Sequence, residues 1–347
     1  MDFPGENLVI KMWDSLVDKG IGSFLKPWQA RRAARADLTN RTEEILLLAQ
    51  AEHDATEIRA GTKKVHQDGK RVLLLEQNAD VIEGRAEPQL NMTSVMAAAS
   101  QAKAAQAVLD EVNIAKSVLH AESLLRDHET PVTDKPLDAD WLRNWRDGAA
   151  RVSSDELQSL WGKILAGEVK APGTCSLRTL DFIKNLSQDE ARAIERICPY
   201  VIQEGFIFKY GVLEDQAGII RFDYLMFLEE LGLINIGSGL GLSVSMPTLL
   251  EDSFVRTILT KERVIVVTGQ DASKKLVLAN YRVTPLGVQV FSLNPVAADE
   301  NYIHAIAVAC AQQGFDVKIG EYRFIGGGQI QVFNDIQVEV PKPPPSQ

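Results

Sequence analysis

A chain of 347 residues with 24% charged and 45% hydrophobic side chains has the composition of a globular protein and room for two domains. Its formal net charge of −10 argues against a general nucleic-acid binder, which needs clustered Lys and Arg for phosphates. Cys175, Cys198 and Cys310 show no CxxC pairing and read as reduced thiols of a cytoplasmic protein, and no apolar run reaches the ~18 residues of a membrane span.

Residues 7 to 19 place Leu8, Val9, Met12, Trp13, Leu16 and Val17 on one helical stripe, with Lys11, Asp14, Asp18 and Lys19 on the other side. There is no basic region followed by an apolar core, so secretion is not expected. Ile21, Phe24, Leu25 and Trp28 continue the apolar pattern past Gly20 and Gly22. From Lys19 through Ala36 the basic residues Lys19, Lys26, Arg31, Arg32 and Arg35 occur without an acid. Aromatic and apolar residues beside Arg and Lys are the pattern of an interfacial membrane helix. The stripe equally suits docking on the protein's own core or on a second copy. Candidate membrane or partner contacts are therefore Trp13, Leu16, Ile21, Phe24, Leu25, Trp28, Arg31, Arg32 and Arg35.

Residues 37 to about 83 read as one long polar helix with a break near Gly69. Leu38, Ile45, Leu48, Ala55, Ile58 and Val65 recur at helical-pairing intervals. His53 and His66 stand on it without a convincing second ligand, and His120 and His128 are two turns apart, so no metal site is expected. Leu90 to Arg126 is an Ala-rich helix. ETPVTDKPLDA, 129–139, has two prolines and no apolar period and reads as a linker. Asp140 then caps a helix carrying Trp141, Leu142 and Trp145 on one face.

The most strongly coded stretch is Ser153 to Thr179. Ser153 with Glu156 fits a capping box, and Leu157, Leu160, Trp161, Ile164 and Leu165 come next at helical spacing. Gly167 is the expected terminator, Pro172-Gly173 the turn, and Ser176 the cap of a helix through Leu177, Leu180, Ile183 and Leu186. Glu168 and Arg178 are expected to form an ion pair that fixes the helix–loop–helix. The structural motif is thus Trp161, Gly167, Glu168, Pro172, Gly173 and Arg178.

The run LQSLWGKILAGEVKAPGTCSLRTLDFIKNLS resembles the bacterial family of unknown function DUF2806. GENLVIKMWDSLVDKGIGSFLKPWQ, AQAEHDATEIRAG and VTPLGVQVF extend the likeness over most of the chain. LSQDEARAIERI carries a weaker echo of the abortive-infection alpha family, which implies phage defence by association only. The first family implies no activity.

Beyond Asn185, Ser187 and Glu190 make a second capping box, ahead of short β-rich pieces at 206–210 and 218–222. The helix FDYLMFLEELG leading into LINIGSGLGLSVSM, a glycine-rich ribbon, reads as a winged-helix-like element, although the ribbon has no basic residue. RVIVVT (263–268) and KLVLANYRV (275–283) are expected to pair as a hairpin. Thr284-Pro285 starts a short helix, residues 298–314 form another, and two closing strands precede the extended tail PKPPPSQ.

No GxSxG, HExxH, DFG or Walker motif occurs, so an enzyme is not expected. The fold class is α+β, in six parts. Residues 1–36 form an amphipathic segment, 37–128 a long helical region, 129–139 a linker and 140–204 a helical core. Residues 205–340 form a C-terminal mixed α/β domain, and 341–347 a disordered tail. The expected protein is non-enzymatic, with no cofactor, and self-associates or contacts an anionic membrane surface through its N-terminal segment. It is cytoplasmic or peripheral on the inner membrane. Two alternatives stand beside that reading: a nucleic-acid- or protein-binding module in the winged-helix-like domain, with nucleic acid disfavoured, and a cytoplasmic oligomeric assembly factor.

Overall fold

The computed structural model describes residues 4–18, 38–68, 71–76, 92–128, 132–202, 205–213, 220–237, 242–293, 296–326 and 329–339. The fold is α+β, as expected; every described strand pairs antiparallel, and the chain divides into a unit ending at Lys184 and a unit starting at Asn185. The boundary falls earlier than the 204/205 division read from the sequence, so the Ser187 helix goes with the C-terminal unit.

The first unit is helical. It comprises α1 (Glu6–Asp18), α2 (Leu38–Ala60), the strands β1 (Lys63–Asp68) and β2 (Arg71–Glu76), α3 (Met92–Arg126), α4 (Ala139–Ala149), α5 (Asp155–Lys170) and α6 (Leu177–Lys184). Helix α3 is the spine: α5 and α2 pack along it, and α1 and α4 add to it. Ala55 and Ile58 of α2 are buried with Ala105 of α3, against Val108 and Leu109, so α3 is the partner that the spacing left unnamed.

The expected helix over 37–83 is corrected. It stops at Ala60, because Gly61 adopts φ +79° and the N–H groups of Gly61 and Thr62 return to the carbonyls of Ile58 and Glu57. That pair of bonds is a Schellman motif, whose left-handed position costs glycine nothing. The chain then enters a β-hairpin, β1 on β2 with Asp68 opposite Arg71, so Val65 belongs to a strand.

Residues 132–138 are tied to the first unit rather than serving as a free linker. Leu137 is buried, Lys11 donates to the Thr133 carbonyl at 2.7 Å, and Lys135 to that of Pro172 at 2.8 Å. The cap of α4 is Asp138, which accepts from Asp140 and Trp141 N–H, and not Asp140. The cap of α5 is Ser154, accepting from Leu157 N–H, one residue later than the expected Ser153.

The second unit contains α7 (Gln188–Ile197), β3 (Phe206–Phe208), α8 (Phe222–Glu230), β4 (Ile234–Asn235), β5 (Leu242–Met246), β6 (Phe254–Leu259), β7 (Arg263–Gly269), β8 (Leu276–Val283), α9 (Pro285–Ser292), α10 (Glu300–Gln312), β9 (Asp316–Gly326) and β10 (Gln329–Gln337). Both halves of the Ser187–Glu190 capping box are formed. Thr284 caps α9 ahead of Pro285. Of the second β-rich piece, 218–219 lie outside the described residues and Phe222 opens a helix.

Two sheets result. One has the order β3-β8-β4, with β5 also on β8, and the other β10-β9-β7-β6. The expected β7–β8 hairpin is therefore corrected: the strands are consecutive in the chain but sit in different sheets. Alternation identifies a strand without naming its partner. The winged-helix-like reading changes likewise, since β4 and β5 each pair with β8 and not with each other. Helix α10 packs on β7 and β9 of one sheet and β8 of the other. Its buried Tyr302 hydroxyl accepts from Phe208 N–H at 2.6 Å and donates to the Phe208 carbonyl at 3.1 Å.

Candidate functional site

The N-terminal stripe forms as read, but it faces inward. Leu8, Val9, Met12, Trp13 and Leu16 are all buried in α1, which packs on α3 and α5. Trp13 is 4% exposed and its indole N–H donates to buried Glu122 at 3.3 Å. Trp13 and Leu16 are thus corrected from membrane or partner contacts to core. The cause is geometric: apolar faces of α3 and α5 offer cover that no lipid has to supply. Ile21, Phe24, Leu25, Trp28, Arg31, Arg32 and Arg35 lie outside the described residues.

The central motif is built around Glu168. Its helix does not end at Gly167; α5 continues to Lys170, and Gly167 lacks the left-handed conformation expected of a terminator. This extra turn carries Glu168 into the interior, where it is 2% exposed. The carboxylate accepts from Gly173 N–H at 2.5 Å, Cys175 N–H at 3.1 Å and the Thr174 hydroxyl at 3.4 Å. No ion pair joins it to Arg178, which is exposed at the start of α6. A carboxylate with backbone donors needs no cation, because the N–H dipoles themselves solvate its charge. Pro172 and Gly173, at φ +97°, make the turn that aims those N–H groups.

Around this loop the tryptophans lock. Trp141 donates to the Cys175 carbonyl at 2.8 Å and Trp145 to the Trp161 carbonyl at 2.9 Å. A second buried polar chain joins Gln158 to Asn113 at 3.1 Å, and Asn113 to the Ala150 carbonyl at 2.8 Å. Ser176 caps α6 through Thr179 N–H, as expected. These satisfied hydrogen bonds fix the geometry of the loop and of the helices around it.

The three cysteines are buried. Burial pushes the thiols of Cys175 and Cys310 up to about 12 and that of Cys198 to about 11, with the Glu168 charge a further cause at Cys175. Thiols held so high carry little thiolate at neutral pH.

One grouping was missed in the sequence. His53, Asp54 and Glu57 on α2 bring ligand atoms within 4.8 Å of one another. The i, i+1, i+4 spacing was the available signal. The group is already filled by a cation of the chain itself: Lys63 lies 3.0 Å from Asp54 and 2.5 Å from Glu57, and both carboxylates hold its pKa above the ordinary value.

Several large apolar side chains are exposed among the described residues. On α3, Met92, Val95 and Met96 are 59%, 45% and 68% exposed. Residues 95–100 are exposed all round the helix. Leu46 and Leu47 on α2 and Phe324, Ile325, Phe333 and Ile336 on the β9–β10 hairpin are also exposed. No helix among the described residues is long and apolar enough to cross a membrane.

No curated protein and no solved structure matches the chain. The flanking pieces at the start and in the C-terminal unit fall outside the segment for which a family match is found. Residues 86–206, with α3 to α6 and the Glu168 loop at their centre, match the family described as "Protein of unknown function (DUF2806)", and the resemblance carried by the WGKILAGE run is shown over that segment.

Proposed function

We propose that this protein is a non-enzymatic association module, in which the first turns of α3 pack against a helix of another chain, in the first instance a second copy. The observation that carries the reading is the exposure of Met92, Val95 and Met96 on a helix that outruns its partner. Arg59 near the end of α2 bonds Gln106 at 2.6 Å, about 20 Å along α3 from Met92, and β1 makes a smaller contact with α3. Apolar side chains grouped on an exposed helical turn mark a surface that a partner can cover, and methionine suits adaptable contacts. The buried, protonated thiols support a non-enzymatic role.

Sedimentation velocity on the full chain tests it. The wild type should show a concentration-dependent species heavier than one 38.3 kDa chain, and Val95→Glu with Met96→Glu should return it to one. A wild type that stays at one chain mass removes self-association by this route.

A second reading keeps the membrane surface, narrowed to residues 19–36. Its support is the acid-free basic run with Ile21, Phe24, Leu25 and Trp28, now without Trp13 and Leu16. Flotation with anionic liposomes should be salt-sensitive and lost on Arg31→Ser, Arg32→Ser, Arg35→Ser substitution. Full-length protein left at the bottom of the gradient ends this reading.

A further inference from the structure

Sulfur is distributed unevenly over the accessible surface. The sequence has three cysteines and six methionines. All three thiols are buried, and burial raises the pKa of Cys198 to about 11 and those of Cys175 and Cys310 to about 12. Met12 and Met246 are buried too, at 0% and 3% exposure. Among the described residues that leaves three open thioethers: Met226 on α8 at 37%, Met92 at 59% and Met96 at 68%. The two most open lie four positions apart in the first turns of α3 and share one side of that helix.

Cysteine meets a peroxide through its thiolate, and here burial suppresses both the thiolate and access to it. Oxidation therefore falls to the open thioethers. We propose that Met92 and Met96 form a site of reversible sulfoxidation, at which a hydroperoxide switches off the pairing of α3. The switching rests on the association reading given above; the site itself does not.

The step is an oxygen transfer. A lone pair of the methionine Sδ attacks one peroxide oxygen, the S–O bond forms as the O–O bond breaks, and the other oxygen leaves as water. Sulfur loses the two electrons that the peroxide gains. The product is a polar sulfoxide in place of an apolar thioether. Covering it in an interface costs its hydration unless a donor replaces the water. Val95, Ala97, Ala98 and Ala99 beside it carry no side-chain donor. Pairing covers both methionines, so oxidation takes the dissociated chain and holds it there.

The test treats the full chain with hydrogen peroxide and maps oxygen uptake at each methionine by peptide mass spectrometry, with sedimentation velocity in parallel. Met92 and Met96 should be oxidised before Met226, and Met12 and Met246 last. Raising the protein concentration should slow uptake at Met92 and Met96 and leave Met226 unchanged. The heavier species should fall to one chain mass in step with Met92 and Met96, and return after treatment with methionine sulfoxide reductases. Met92→Leu/Met96→Leu keeps the apolar volume without the thioether and should keep the heavier species under the same peroxide. Uptake at Met12 or Met246 as fast as at Met96 overturns the site. A chain fully oxidised at Met92 and Met96 that sediments like the untreated one overturns the switch, as does loss of the heavier species in the Leu variant under peroxide; each of these leaves the association reading standing. A wild type at one chain mass before any peroxide is added ends that reading and the switch with it, while the oxygen map still decides the site.

Discussion

Glu168 shows how a single carboxylate can stand where a salt bridge is expected. The sequence places an acid and a base at either end of a turn, and pairing them is the natural inference from side chains alone. Backbone N–H groups leave no mark in composition, so the real partners, Gly173 and Cys175, are invisible until the chain is folded. Replacing Glu168 by Ala orphans both donors and should cost about 1–3 kcal/mol in urea unfolding, whereas Arg178→Ala should change little. A second carboxylate gives a pH-dependent signature. The Ser187 hydroxyl and N–H hold Glu190 below its ordinary 4.5. A depressed acid contributes stability above its unfolded value and loses it as pH falls through the folded one. The stability gap between wild type and Glu190→Gln, read from thermal melts, should therefore be widest at neutral pH and close in acid.

At the scale of elements, two glycines on neighbouring helices are expected to respond in opposite directions. A β-carbon on Gly148 of α4 would stand 2.0 Å from Cη2 of the buried Trp161 ring, which has nowhere to go. Overpacking of about 1–3 kcal/mol outweighs the helix-propensity gain of up to ~1, so Gly148→Ala should lower Tm. A β-carbon on Gly167 of α5 meets nothing within 4 Å, and Gly167→Ala should raise stability by about 1 kcal/mol. Helices and their buried stripes were legible because period and burial coincide, as Leu8, Met12 and Trp13 or Ala55 and Ile58 show. Where the reading failed, local pattern was ambiguous or partner choice was non-local. KKVHQDGKRVLLLE is rich in helix formers, and its Asp68-Gly69 turn signal read as a helix break. β7 and β8 were visible as strands, yet nothing near either one says that they leave for different sheets.

Across the whole molecule, the candidate site was less legible than the fold. The apolar face of α1 was correctly drawn, but exposure depends on what α3 and α5 supply from elsewhere in the chain. The surfaces left uncovered, on α3 and on the β9–β10 hairpin, look in sequence like any other alanine-rich helix or alternating strand. Their distinction is the lack of a covering layer among the described residues, which is a tertiary property.

The docking of α1 also imposes a sequence of events during synthesis. Trp13 leaves the ribosome well before its partner Glu122, which lies 109 positions later in the chain, and α5 is complete only at Lys170. For that interval the nascent chain carries a greasy helix with nowhere to put it. A fragment released before Lys170 should consequently aggregate or require a chaperone, and its partition between soluble and pelleted fractions, compared with full-length chains, would reveal that dependence.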